Sequence, residues 1–207
     1  SGLEEFLIEN KPKYSIRVVS APSEELGSQG FLDFFSELSK DSFLVLGFEP
    51  ALDNGNIINK RRGNFWYDIA VSGKEAHSGR AHAEGINAAY DLCSKLTALS
   101  ELTDYAKDIT VNIGHIEGGK DKFNVVCGWA KAKLDVRFPD WESRKKLKAK
   151  IESILKKPIA ISASTKQAAS VKFDLTNDCP PLFPDPKSKT HIQNYLQALK
   201  KAEGKSY

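Results

Sequence analysis

The sequence has 207 residues, of which 41% are hydrophobic and 28% are charged, and its formal net charge is +3. These values are typical of a globular protein with a core, built as one large domain or two small ones. The basic residues are spread along the chain, which argues against a dedicated nucleic-acid surface. No apolar run reaches the about 18 residues that a membrane span needs. We therefore expect neither a nucleic-acid nor a membrane partner.

The cysteines and the N-terminus bear on the compartment. Cys93, Cys127 and Cys179 show no Cys-x-x-Cys spacing, which favours reduced thiols in a cytoplasmic protein. The first residues lack the basic, apolar and small-residue pattern of a signal peptide. The chain has no methionine, not even at its start, and we expect it to be a piece of a longer protein.

The first part of the chain alternates apolar strands with a helix. We predict a strand in "YSIRVVS" (14–20), a helix from Phe31 to Ser39 and a strand in "FLVLGFEP" (43–50). Continuous apolar strands of this kind are typical of a buried α/β sheet. The polar, turn-rich stretch 52–64 that follows is a plausible domain boundary.

The middle of the chain has a different hydrophobic pattern, because its predicted strands alternate apolar and polar residues. The predicted elements are a strand at 64–71, a helix from Glu84, strands at 108–116 and 123–138, a helix at 141–157, and final strand candidates at 159–164 and 171–175. The order β-α-β-β-α-β predicts a two-layer, ferredoxin-like sandwich, with an antiparallel sheet covered on one face by two helices.

Proline residues mark the end of this middle block. "NDCPPLFPDP" (177–186) cannot continue a sheet interior, and a helix is predicted from Lys187 to Lys201 after Pro186. The sequence therefore predicts an inserted α/β domain at 62–176. It is flanked by two pieces of a larger α/β domain, at 1–61 and 177–207.

Two adjacent glutamates, Glu24 and Glu25, follow the first predicted strand and precede Gly27-Ser28. Open α/β sheets place their active sites at the carboxyl ends of strands. Neighbouring carboxylates suit a division of labour between metal binding and proton transfer. The alternative is a capping box, with Ser23 at the start of a helix and acidic residues in its first turn.

Three further residues are candidates for chemistry, and each also has a structural interpretation. His77 lies in a glycine-flanked turn after a strand, where a histidine is often only a surface residue. Asn124 follows a glycine turn and starts a strand, a position that favours a turn residue. Arg137 lies on the polar face of its strand beside Asp135, where an ion pair within the sheet is equally expected. His82 has the features of a solvated position.

These pieces occur in a recognisable order: "PSEELGS", "GFEP", "VSGKEAHSG" with "EGINA", "TVNIGHIEGG" with "FNVV", "LDVRF" and "PPLFPDPKS". As a set they resemble the co-catalytic zinc aminoacylase, carboxypeptidase G and peptidase T family, which also includes desuccinylases. The resemblance spans nearly the whole chain. In such enzymes a catalytic domain holds two zinc ions, and an inserted lid domain makes the homodimer.

The resemblance implies roles for the two glutamates. Glu24 would be the general base that deprotonates a metal-bridging water, and Glu25 would be a zinc ligand. Two cations about 3.5–4 Å apart lower the pKa of such a water and polarise the scissile carbonyl. Cobalt or manganese are alternatives to zinc, because carboxylate and imidazole ligands suit several metals.

The resemblance also implies roles for the middle block. His77 would reach into the active site of the partner subunit and stabilise the developing oxyanion. Asn124 and Arg137 would hold a substrate carboxylate, for which a guanidinium is well suited. The implied activity is that of a carboxypeptidase or an N-acyl-amino-acid amidohydrolase, which cleaves an amide bond next to a free carboxylate in a small peptide or acyl-amino acid.

The sequence departs from the family pattern at several positions. Ser23 stands where the family has an aspartate, and the position of a further acidic ligand is taken by Phe43. Asp41 would be that ligand only in a different register. The His-x-Asp motif, the bridging aspartate and the final histidine ligand are absent from this chain. We therefore expect a fragment of a complete enzyme; the alternative is a non-catalytic dimerisation or interaction module of the same fold.

A third hypothesis is a nucleic-acid binder of ferredoxin-like fold, which needs exposed aromatic residues on the sheet. Trp66 and Trp129 could supply them, but the sequence places no basic strip beside them.

Overall fold

The computed structural model describes residues 5, 8–9, 13–21, 30–48 and 57–203. The chain divides into two compact units, Ser1–Leu46 and Gly47–Tyr207. In the first unit, helix α1 spans Leu32–Lys40, as the sequence predicts to within one residue. The ring of Tyr14 stacks on that of Phe43, with 5.5 Å between the ring centroids.

The two strands predicted in the first part of the chain are wrong for the residues that the structure describes there. Residues 15–21 and 44–48 do not belong to any strand or helix. Their apolar side chains are exposed, with Val18 71% and Val45 70% accessible. A buried α/β strand needs hydrogen-bonded neighbours on its edges and packed layers on its faces. The described residues of this unit provide neither.

The second unit contains the predicted β-α-β-β-α-β arrangement. Its elements are β1 (Gly63–Ser72), α2 (Ala88–Ser100), β2 (Thr110–Gly118), β3 (Trp129–Phe138), α3 (Trp141–Lys156) and β4 (Ser170–Cys179), followed by α4 (Lys189–Glu203). The four strands form one sheet in the order β2-β3-β1-β4. All neighbouring strands are antiparallel. The predicted ferredoxin-like fold is thus confirmed.

The core lies between one face of this sheet and the helices α2 and α3. Alternate residues of β1 and β3 point into it, as the period of two in the sequence predicts. Helix α3 contributes a stripe at helical spacing. The buried side chains include Phe65, Tyr67, Ile69 and Val71 from β1, Leu134, Val136 and Phe138 from β3, Leu92, Leu96 and Leu99 from α2, and Leu147, Ile151 and Leu155 from α3.

Two element boundaries differ from the prediction because loop contacts replace regular structure. Helix α2 begins at Ala88 rather than Glu84. The side chain of Asn87 caps it by accepting a hydrogen bond of 3.0 Å from the N–H of Tyr90. Strand β3 begins at Trp129 rather than Phe123, because the preceding residues pair with the loop that follows β1.

The strand predicted at residues 159–164 is also wrong. This segment forms a single bridge between Ile161 and Ala168 around a tight turn. Lys166 in that turn has a φ of 62°, in the left-handed region. The backbone therefore reverses too early to extend the sheet. The other candidate, at 171–175, lies within β4.

The chain enters and leaves the sheet region side by side. Arg61 and Leu182 exchange two backbone hydrogen bonds, of 3.1 and 2.9 Å. These residues flank the whole β1–β4 segment, and the insertion at 62–176 stays a prediction. The assignment of 1–61 and 177–207 to a catalytic domain stays a prediction.

None of the helices in the described part of the chain combines the length and the apolarity that crossing a bilayer requires.

Candidate functional site

The loop after β1 carries His77, and backbone hydrogen bonds close it at its base. Lys74 and Ile86 exchange N–H···O bonds of 2.9 and 3.0 Å, and the N–H of Gly73 donates to Gly128 O at 2.8 Å. A Cβ on Gly73 would lie 2.0 Å from Ile86 O, and one on Gly85 would lie 2.9 Å from the Val126 side chain. Glycine is needed at position 73 because the backbone of Ile86 lies so close, and a side chain at position 85 would crowd the side chain of Val126.

His77 is exposed at the top of this loop, and its ring orientation is constrained. Its Nδ1 accepts a hydrogen bond of 3.1 Å from the N–H of Gly79. Its carbonyl accepts from the N–H groups of Arg80 and Ala81, at 3.2 and 2.9 Å. Because Nδ1 is an acceptor, a neutral ring carries its proton on Nε2. An N–H donor is thus available on the side of the ring away from the loop.

Asn124 lies next to His77. The N–H of Ser78 donates to Asn124 O at 3.0 Å, and His77 and Val125 form an antiparallel bridge. An exposed ion pair of 2.8 Å between Glu75 and Lys120 links the same two loops. The structure therefore brings His77 and Asn124 together at the end of the sheet where β1 ends and β3 begins.

Arg137 lies at the opposite end of β3, roughly 26 Å along the strand from Trp129 at about 3.3 Å per residue. It is paired across the sheet with Asn64 and Thr110. Its Nε and Nη2 donate to Asp135 Oδ2 at 3.0 and 2.9 Å, and about one third of each side chain is exposed. Within one chain, the structure separates Arg137 from His77 and Asn124.

The predicted metal-site residues cannot be assembled from the part of the chain that the structure describes. Glu24 and Glu25, with Ser23 before them, lie outside the described residues. Asp41 is an exposed residue at the C-terminal end of α1. Among residues 5, 8–9, 13–21, 30–48 and 57–203, no group of three or more His, Cys, Asp or Glu side chains converges as metal ligands would. The described residues thus do not fit a zinc centre by themselves.

Known proteins resemble this chain in sequence and in fold. Residues 59–161 match the family model described as the peptidase dimerisation domain. The chain belongs to the M20 peptidase family. The matched segment covers the sheet strands β1 to β3, both covering helices and the loops that carry His77 and Asn124.

Two curated M20 relatives and one solved structure illustrate the likeness. Carboxypeptidase G2 of Pseudomonas sp. (strain RS-16) is 27% identical over 60% of this chain and 30% of its own length. Succinyl-diaminopimelate desuccinylase of Psychrobacter arcticus is 30% identical over 57% of this chain and 30% of its own length. Aminopeptidase PepT of Bacillus cereus has a TM-score of 0.53 at 18% identity, over 72% of this chain and 38% of PepT, and shows the fold alone. The alignments thus span about a third of these proteins.

One group of interacting residues in this M20 domain was not predicted from the sequence. The fully buried side chains of Asp91 and Lys95 form an ion pair on α2. Asp91 Oδ2 also accepts the N–H groups of Ile159 and Ala160, at 3.0 and 2.8 Å. The spacing of four residues within an otherwise uncharged helix was the available signal, because it places both charges on one face.

The open face of the sheet carries paired charges beside its tryptophans. Lys133 lies 3.9 Å from Asp68, and Lys131 lies 3.9 Å from Glu117. The Nζ of Lys131 also lies 5.7 Å from the ring centroid of Trp129. Acidic and basic residues thus alternate across the strands, whereas a nucleic-acid surface concentrates positive charge.

Proposed function

We propose that the intact protein is a hydrolase that cleaves an amide or peptide bond next to a free carboxylate, and that it acts as a homodimer. The observation that carries this proposal is the separation of Arg137 from His77 and Asn124 within a dimerisation domain. Two groups that serve one substrate from opposite ends of a sheet can meet if they come from different copies.

Arg137 is suited to bind the substrate carboxylate. Its guanidinium already binds a carboxylate, that of Asp135, through Nε and Nη2. The pair is partly exposed, so a ligand carboxylate can compete for it without first uncovering a buried charge. A planar guanidinium offers further donors for a second carboxylate.

His77 is suited to stabilise negative charge that develops on the carbonyl oxygen of the scissile bond. The hydrogen bond from Gly79 to Nδ1 favours the tautomer with the proton on Nε2. An Nε2–H held in a fixed loop can donate to an oxyanion with little reorganisation. Asn124, whose backbone lies on the neighbouring loop, carries an amide that offers both a donor and an acceptor.

The edge strand β2 is the surface through which we propose that two copies meet. It lies at one end of the sheet order, so its outer N–H and C=O groups are available to a further strand. Ile116 on β2 is 52% exposed, and Tyr90 on the neighbouring helix α2 is 59% exposed. Antiparallel pairing of two β2 strands would satisfy the backbone groups and cover these side chains.

Zinc dependence belongs to this proposal and rests on the resemblance. Glu24 as general base and Glu25 as metal ligand, with Asp41 as a further ligand, remain proposed roles, with cobalt or manganese as alternatives to zinc. When bound, the metal would supply an acidified water and a polarised carbonyl. The described residues do not hold a ligand set, and the roles derived for His77, Asn124 and Arg137 do not depend on one.

A cytoplasmic location is also proposed. Cys93, Cys127 and Cys179 are free thiols, as is usual in a reducing compartment. Fractionation of cells that express the intact protein tests this location.

The proposal is tested with two variants of the intact, metal-loaded protein, His77→Ala and Arg137→Ala. Each homodimer should lose most of its turnover of N-acyl-amino acids or dipeptides, because each active site lacks one group. A heterodimer of the two variants should recover about half of the wild-type turnover, because one of its two sites receives both native groups. His82→Ala is the matched control, since this histidine lies in the same loop and has no proposed role.

Failure of complementation, with heterodimers present and both homodimers inactive, would contradict the shared site. Full turnover of His77→Ala would contradict the role of His77 itself.

The second candidate is a dimerisation module without catalysis. It is favoured by the family match to the dimerisation segment and by the lack of a metal-ligand cluster among the described residues. Absence of hydrolysis across a broad panel of acyl-amino acids and dipeptides, by intact dimeric protein loaded with zinc, would establish it over the enzyme.

A further inference from the structure

The segment after helix α3 makes hydrogen bonds to the loop that carries His77. The carbonyl oxygen of Ala83, in the short 3-10 helix His82–Glu84, accepts three hydrogen bonds from residues about eighty positions later. Ser162 Oγ donates at 2.9 Å, and Ser164 donates through its N–H at 3.0 Å and its Oγ at 3.1 Å. Three donors converging on one oxygen indicate a specific contact between these segments.

Ser162 is fully buried, and all of its polar groups have partners. Its Oγ donates to Ala83 and accepts the N–H of Thr165 at 3.1 Å. Its own N–H donates to Gln167 O at 2.9 Å, and its carbonyl accepts from the N–H of Lys166 at 3.0 Å. Ser164 Oγ lies 3.4 Å from the same hydroxyl, and either of the two can donate. The Ser162 hydroxyl therefore links the turn 162–167 to Ala83.

The start of this segment, near Lys157, is held by the buried ion pair of α2. Asp91 holds the N–H groups of Ile159 and Ala160, and Lys95 Nζ donates to Lys157 O at 2.7 Å. Because both side chains are fully buried, this anchor is shielded from competing water. The segment from Lys157 to Ser162 is thus tied to α2 at its start and to Ala83 at its end.

Backbone hydrogen bonds connect Glu84, the neighbour of Ala83, to His77 through Ala81. The N–H of Glu84 donates to Ala81 O at 3.0 Å, and the N–H of Ala81 donates to His77 O at 2.9 Å. We infer that Ser162 is a positioning residue that holds the His77 loop, through Ala83, in the geometry that presents the Nε2 atom of His77. This inference rests on the proposed function for the role of His77. The effect of the contact between Ser162 and Ala83 can, however, be tested without measuring activity.

The first test is amide hydrogen exchange of the 207-residue chain, comparing Ser162→Ala with wild type. Loss of the hydroxyl should accelerate exchange at Ala81 and Glu84 by about tenfold, because local opening becomes easier. Exchange in the strand β1, for example at Ile69, should stay unchanged. The matched control is Ser100→Ala, which removes a hydroxyl that donates to Thr97 O within its own helix.

Two results would overturn the inference: equal acceleration at Ala81 and Ile69, which indicates global destabilisation, or no acceleration at all. If Ser162→Ala does not fold, Ser164→Ala decides the matter. Ser164 is exposed and keeps its backbone donor to Ala83, so this variant should show the same local pattern with a smaller factor.

The second test measures turnover of the intact enzyme. Ser162→Ala should lower kcat by about 10- to 100-fold, as small misplacements of a reacting group do, with KM nearly unchanged. His77→Ala is measured beside it. If His77→Ala is inactive and Ser162→Ala is fully active, the positioning role is wrong; if His77→Ala is fully active, the proposed role of His77 is wrong, whatever the exchange data show.

Discussion

The two faces of the four-stranded sheet use charged residues in opposite ways. On the helical side, Asp91 and Lys95 are completely buried, and their remaining hydrogen-bonding groups hold the backbone of residues 157–160. On the open side, Arg137 and Asp135 are each about one third exposed. Both are acid–base pairs, but only the open pair can exchange its partner, because separating the buried pair would leave a charge away from water.

Burial therefore distinguishes a charged pair that holds the fold from one that is available to a ligand. The buried pair binds main-chain groups, which no substrate can replace. The open pair leaves Asp135 Oδ1 without a hydrogen-bond partner among the described residues. This pair is thus less completely hydrogen-bonded than that of Asp91 and Lys95, which is compatible with the proposed exchange of the Asp135 carboxylate for that of a substrate.

The largest expected effect is that of Asp91→Ala. This change leaves the ammonium of Lys95 buried and unpaired and frees two backbone N–H groups, so we expect a loss of about 3–5 kcal/mol in the free energy of unfolding. Denaturant unfolding of the 207-residue chain measures it. The control is Asp174→Ala on the exposed part of β4, for which the change should stay within about 0.5 kcal/mol. Similar small values for both would remove the distinction between the two faces.

On the covered face of the sheet, ionisation of the Tyr67 hydroxyl makes the free energy of unfolding depend on pH. Burial, followed by the charges of Glu152 and Asp178, raises the pKa of Tyr67 to about 12. Because the folded-state pKa exceeds the unfolded value, the stability linked to this group is complete below about pH 10 and is lost as pH rises through about 12, at most about 2–3 kcal/mol. Stability measured between pH 8 and 12 should show this loss.

Tyr67→Phe is the matched variant for this titration. The hydroxyl of Tyr67 has no hydrogen-bond partner among the described residues. Its removal should abolish the alkaline loss and raise stability at neutral pH by about 1 kcal/mol. A destabilised variant would instead indicate that the hydroxyl makes a favourable contact, such as one to a buried water.

The smallest expected effect on stability is that of Arg137→Lys. The partly exposed pair with Asp135 contributes little, so unfolding should change by less than about 1 kcal/mol. In the intact enzyme the same change should raise KM roughly tenfold, because lysine lacks the planar fork that binds a carboxylate. A loss of several kcal/mol with unchanged KM would place this pair in the same structural class as Asp91 and Lys95.

The fold of the middle block could be predicted because its alternation matches what burial requires. In β1 and β3 every second residue is apolar, and the core lies on that side. Among the described residues, the predicted strands at 14–20 and 43–50 were wrong for the opposite reason. Apolar character predicts that such a segment would be buried in a sheet, but it cannot supply the neighbouring strands.

The residues of the candidate site were named from the sequence and stay a prediction, whereas their arrangement became visible only in the structure. His77 and Asn124 stand out by their glycine turns, and the structure places their loops side by side. Their separation from Arg137 could not be read from spacing, because it depends on the direction of β3 in the sheet. The contacts of Ser162 with Ala83 join residues that are 79 positions apart, which local patterns do not reveal.

The paired backbone of Arg61 and Leu182 has a practical meaning for protein engineering. Because the two ends of the sheet-bearing segment lie next to each other, the segment can be excised and closed with a short linker, or grafted into a surface loop of another scaffold, without crossing a strand. Recombination during evolution would face the same low geometric barrier. The segment could thus be moved between proteins with both of its chain connections at one place.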